Sequence, residues 1–154
     1  MKHAAEEFRH AHYLKRQIER VYPHPMKTYL LDSMLGGIHT LHYLSGLDLK
    51  ASRYLKEAGF SKNDIKEIAY LLVTYAIELR AEELYPIYDQ ALRNVQSRVT
   101  VKSILLEEKE HLYEMREGLR QVQDGYIHAD HICAIESQLS HAWLNAVWLD
   151  VVNA

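Results

Sequence analysis

The sequence predicts an all-α protein, an antiparallel bundle of four longer helices with additional short ones. Three observations lead there. Apolar residues recur at three- and four-residue spacing, and no stretch alternates as a half-buried strand does. Six Gly and three Pro in 154 residues are few for a loop-rich fold. The breaks between helical stretches are short, which sets successive helices side by side in opposite directions. The length suits one domain, 1–154, with a core of its own.

Residues 2 to about 21 read as the first helix, with Glu7, His10, Leu14, Gln17 and Val21 on one face and Phe8, Ala11 and Ile18 beside it. Tyr22-Pro23-His24-Pro25 ends it, because two prolines in three residues break a helix. Pro25 suits the first turn of a second helix, about 26–45, with Tyr29, Leu30, Met34, Leu41 and Leu44 as its apolar positions. Gly36-Gly37 in its middle weakens it or lets another helix approach closely, and Gly46 stops it. Asp48 caps a short helix, 49–58, that ends at Gly59. Ser61 followed by Asp64 forms a capping box for a long helix, about 62–94, in which Pro86 predicts a kink or an early end. The polar break Asn94–Ser97 leads into a helix over 98–123 that Gly125 ends. The last helix, about 129–152, is capped by His128 or Asp130 and is apolar at Ile132, Ile135, Leu139, Trp143, Val147 and Leu149.

Bulk properties exclude several functions. A net charge of −3 makes no field that gathers nucleic acid. One cysteine, Cys133, excludes an intrachain disulfide and a Cys-rich metal site, and it reads as a small buried hydrophobe. No apolar run is long enough for a membrane span, and MKHAAEEFRH lacks the apolar centre of a signal peptide. Cytoplasm is the expected location.

The chemistry gathers at ILLEEKEHLYEM, residues 104–115. Its inner stripe is Val101, Ile104, Leu105, Glu108, His111, Leu112, Met115 and Leu119, apolar except at Glu108 and His111. Three residues apart, these two share one face. Buried polar groups need partners, and a metal ion is one partner for both. With 14 Glu and 10 His, chance supplies about one Glu-x-x-His pair, so a single pair says little. A second exists, Glu7 and His10, and each pair is preceded by another Glu, Glu6 or Glu107. A lone Glu78 follows an apolar run 30 residues before Glu108, the spacing that brings two residues level in a helical hairpin.

AAEEFRHAHYL, VTYAIELRAEELY and ILLEEKEHLYEM together resemble the ferritin and rubrerythrin superfamily, most of all its ferritin-like tRNA hydroxylases, which show EExRH, IExR and a second Glu-x-x-His in that order. The resemblance covers three short stretches. It implies a ferritin-like four-helix bundle holding two iron ions, or manganese, on Glu7, His10, Glu78, Glu108 and His111. Carboxylate-rich ligation suits those metals and leaves positions open for oxygen or peroxide. Tyr75 and Tyr85 would stand nearby as hydrogen-bond donors or oxidation sinks. The implied activity is oxygen- or peroxide-dependent oxidation of a small substrate, hydroxylase-like; iron oxidation for storage is the sibling reading.

The chain departs from the family in one respect. A metal-binding Glu should precede the first Glu-x-x-His by a whole helix, and only six residues precede Glu7. Glu136, inward beside Cys133, Ser140 and Trp143, is the first candidate to replace it; Asp32, His39 and His42, or a neighbouring subunit, are the others. Trp143–Trp148, apolar around much of its circumference, is expected to carry a homodimer interface.

The competing reading is a metal-free bundle acting by protein association, in which Glu108 and His111 face solvent and Leu106 and Leu112 line the core. Glu82 and Glu83 read as solvated or as supports for the metal ligands, His39 and His42 as ordinary packed or surface residues, and His128 and His131 as a cap region.

Overall fold

The computed structural model describes residues 2–21, 30–31 and 34–153, and side chains from residue 5 onward. Among them are five helices and no strand: α1 (Lys2–Val21), α2 (Ile38–Glu57), α3 (Lys62–Asn94), α4 (Lys102–Leu119) and α5 (Gly125–Val152). The chain is all-α. No described helix is long and apolar enough to cross a membrane. The Tyr22–Pro25 break, Tyr29 and Asp32 lie outside the described residues.

The contacts gather into two compact units. One comprises Met1–Lys27 and Glu78–Glu114; the other comprises Thr28–Ile77 and Met115–Ala154. The second unit has an ordinary apolar core. Leu47, Ala51 and Leu55 of α2, Ala69, Leu72 and Ala76 of α3, and Ala129 and Ile132 of α5 are all buried. The first unit does not. Its buried residues, among those described, are Val101, Ile104 and Leu112 together with five polar ones, His10, Glu78, Asp89, Glu108 and His111.

The second helix differs from the expectation at both ends. Gly36 and Gly37 precede it, at φ +73° and +46°, in a turn only glycine adopts freely. The Gly36 amide donates to Asp150 Oδ2 at 2.7 Å. A Cβ on Gly36 would stand 3.1 Å from Val147 and 3.2 Å from Trp143, so close approach to α5 is the reason for glycine there. Gly46 does not stop the helix. Leu47, Ala51 and Leu55, four apart, form a buried stripe that carries α2 on to Glu57 and absorbs the separate helix expected at 49–58. Gly46 faces Leu139 of α5, 3.7 Å from where its Cβ would be. Trp143 Nε1 donates to Thr40 Oγ1 at 3.0 Å, and Tyr43 stacks on Trp143.

Ser61 caps α3, with the Asp64 amide donating to Ser61 Oγ at 3.3 Å, and Ser61 Oγ donates to Asp64 Oδ2 at 2.6 Å. Pro86 does not end α3, which runs to Asn94. Pro86 is exposed, so water can serve the carbonyl it leaves unpaired one turn back. Gln96, at φ +53°, makes the break into α4.

Gly125 begins α5 rather than ending α4. Asp124, at φ +52° and without a side-chain cap bond, turns the chain, and α5 starts four residues before the expected 129. A Cβ on Gly125 would collide with the Leu119 carbonyl oxygen, so only glycine closes this turn. His128 therefore lies within the first turns of α5, where Tyr54 Oη lies 2.8 Å from its Nδ1. His131 stacks on Tyr54. Cys133 is partly exposed rather than fully buried.

These two glycine roles separate by mutation. Gly125→Ala is expected to cost at least about 2 kcal/mol, because backbone must shift. Gly59→Ala, at φ +90° with open space around it, should cost only about 1–2 kcal/mol of conformational strain. Urea unfolding of both variants measures the order, and equal losses would refute this account of the turn.

Candidate metal centre

α4 presents its inner stripe as the spacing requires. Val101, Ile104, Leu112, Met115 and Leu119 are buried, and Glu108 and His111 sit among them at 5% and 2% exposure. Leu106 is 72% exposed, so the face that would have made Leu106 core points outward. In the first unit Glu78 lies level with this pair, as the 30-residue spacing predicts for a hairpin, and α1 supplies Glu7 and His10.

Donor atoms of Glu7, Glu78, Glu108 and His111 all fall within 4.8 Å of one another, a group that could hold a metal ion. His111 Nδ1 is 3.1 Å from Glu108 Oε2, 3.4 Å from Glu78 Oε1 and 3.8 Å from Glu7 Oε1. His10 Nδ1 is 3.2 Å from Glu108 Oε1 and 3.6 Å from Glu7 Oε1. Glu108 thus turns one oxygen toward each imidazole, and one oxygen of Glu7 lies between them. The two rings stack with centroids 6.3 Å apart.

The outward faces of the histidines are occupied reciprocally. His10 Nε2 lies 3.0 Å from Glu107 Oε2 of α4, and His111 Nε2 lies 3.0 Å from Glu6 Oε2 of α1. Each helix's imidazole is held by the carboxylate that precedes the other helix's pair. Arg9 also binds Glu107. The bond from His10, then the Arg9 charge, hold the Glu107 carboxyl below the usual carboxylate range, so it accepts and His10 Nε2 donates. The doubled Glu in EEFRH and EEKEH was the sequence signal for Glu6 and Glu107. Its role is visible only once the two helices face each other.

With each Nε2 held outward by a carboxylate, each Nδ1 turns inward among the carboxylates of the centre. A cation there, proton or metal, would balance them. Burial raises the Glu78 carboxyl to about 9, with the hydrogen bond to Glu108 and the charges of Glu108 and Glu7 adding to it. One proton shared by Glu78 and Glu108 leaves His10 Nδ1 unserved: it is buried and makes no hydrogen bond.

Tyr85 belongs to the first unit. Burial, then the charges of Glu108, Glu7 and Glu78, raise its phenol, so it stays a neutral O–H donor. Tyr75 and Glu136 belong to the second unit. Burial raises the Tyr75 phenol against a hydrogen bond with Arg116, and buried Glu136 accepts a hydrogen bond from Tyr43 Oη at 2.6 Å. His39 and His42 are exposed, as are Glu82 and Glu83, the latter paired with Arg80. A cavity of about 560 Å³ between α3 and α4 reaches Glu108 past Pro86, Leu105 and Leu106, with Lys109 also on its wall.

No protein-family model matches the chain, and no curated protein or solved structure is significantly similar to it.

The raised Glu78 carboxyl sets a pH dependence. Between pH 4.5 and about 9 the folded, metal-free protein holds a proton on Glu78 that the unfolded chain has released. Stability in chelator should therefore fall as pH rises through that window, and Glu78→Gln should flatten the decline. Thermal unfolding across the range tests this; equal slopes in both proteins would refute it.

Proposed function

We propose that this chain is a ferritin-like carboxylate protein whose first unit holds a dinuclear iron or manganese centre on Glu7, His10, Glu78, Glu108 and His111. The observation that carries the reading is the inward convergence of three carboxylates, two of them buried, and two buried imidazoles. Ionised groups so placed are unfavourable without a compensating cation. The donor set, three carboxylates to two imidazoles, suits iron or manganese better than copper or a structural zinc site.

Such an ion pair, when bound, supplies oxygen or peroxide activation. The chain's own residues do the rest. Glu7 and Glu108 span the two histidines. Glu6 and Glu107 hold the outer nitrogens of the imidazoles, so that each Nδ1 faces the centre. Tyr85 keeps its phenolic proton and can donate it, or a hydrogen atom, beside the carboxylates. The cavity ending at Glu108 has an apolar wall of Pro86, Leu105 and Leu106, and it admits a small, largely apolar substrate. These features favour a hydroxylase-like oxidoreductase. On α5, Leu144, Trp148, Leu149 and Val151 are exposed, which supports a homodimer through that helix.

Elemental analysis after anaerobic ferrous or manganous loading should find about two ions per chain, falling below one in His111→Ala. An empty wild-type protein would move the reading to a metal-free association module. Glu6→Gln and Glu107→Gln should each weaken metal binding about 10–100-fold without changing helix content, because they loosen a histidine rather than remove it. Unchanged affinity in both, measured by competition with a chelator, would deprive the outer carboxylates of that role.

A further inference from the structure

Building on the metal reading above, we infer that the two halves of the centre are unequal: a resident ion at His111, and an exchangeable ion at His10 whose coordination is completed by an external small carboxylate. The outer frame of the site is symmetric. Each imidazole has its Nε2 3.0 Å from a Glu of the opposite helix. The inner frame is not. His111 Nδ1 faces three carboxylates, Glu108, Glu78 and Glu7. His10 Nδ1 faces two, Glu108 and Glu7, and no counterpart of Glu78 stands on its side among the described residues of the first unit.

Two further acidic groups of that unit are held by cations. Glu107 is bound by Arg9 and His10 Nε2, and Asp89 by Arg93. Yet His10 is 5% exposed, and its Nδ1 makes no hydrogen bond, so a buried donor is aimed at a position with one protein ligand too few. The way in from solution is at Glu7, the carboxylate shared by the two histidines, whose side chain is 52% exposed against 6% for Glu78 and 5% for Glu108. A donor that enters there meets the shortage of carboxylates on the His10 side. Because the absent counterpart of Glu78 is a carboxylate, a small carboxylate is the ligand class that matches the vacancy in the donor set.

Manganous ion titrated into the chelator-stripped full chain, followed by calorimetry with and without acetate, tests the proposal. Two steps should differ in affinity by at least about tenfold, and acetate should tighten only the weaker. His10→Ala should delete the weaker step and leave the tighter one within about threefold, while Glu78→Gln should weaken the tighter. His10→Gln makes the same prediction if the alanine variant loses its helical circular dichroism. Two steps of equal affinity would overturn the proposal. So would a weaker step that acetate leaves unmoved, or one that Glu136→Ala abolishes, since the fourth carboxylate would then come from the chain. Absence of any binding step in the wild type would instead overturn the metal reading itself.

Discussion

An imidazole has two nitrogens, and what one of them does dictates what the other can do. In this protein both decisive histidines spend Nε2 on a carboxylate of the facing helix, Glu107 for His10 and Glu6 for His111. That crossed pair of bonds turns both Nδ1 atoms toward Glu7, Glu78 and Glu108. Everything the first unit can do chemically depends on it. If either outer bond were absent, the ring could rotate, and the inner face would lose its convergent nitrogens.

The consequence for stability is unusual. Cores normally consist of apolar side chains, as in the second unit, where Leu47, Leu55, Leu72 and Ile132 are fully or almost fully buried. The first unit buries ionisable groups around a small apolar set. Without a cation it must protonate part of the cluster, and the rise of Glu78 to about 9 is the form that adjustment takes. A site that must recruit protons when empty is one in which cation binding and folding are linked.

Much of this was legible in the chain itself. The Glu108–His111 stripe, the matching Glu7–His10 pair and the 30-residue interval to Glu78 follow from helical spacing alone, and the structure brings those residues together. Other elements differ from the sequence expectation for identifiable reasons. Glycine commonly ends helices, which makes Gly46 and Gly125 read as stops. Gly46 instead lies within α2, where a Cβ would make only ordinary contact with Leu139, and Gly125 avoids the Leu119 carbonyl. At Gly125 the reason for glycine is a backbone atom across a turn, which propensity cannot register. Gly36-Gly37 stood inside an expected helix because the apolar spacing continued through it, whereas its hydrogen bond to Asp150 fixes a turn.

By itself, the order of residues determined that this protein is helical, which faces of its helices are apolar, and that two of those faces carry an acid and an imidazole one turn apart. These are local properties, set by spacing along a helix of known pitch. Only the tertiary structure decided how the pairs complete one another: that Glu6 serves His111 and Glu107 serves His10, that Glu78 attends one histidine and not the other, and that Glu7 faces solvent. The two outer bonds span about a hundred residues of chain, and all these relations depend on the rotation of each helix about its axis, which packing sets.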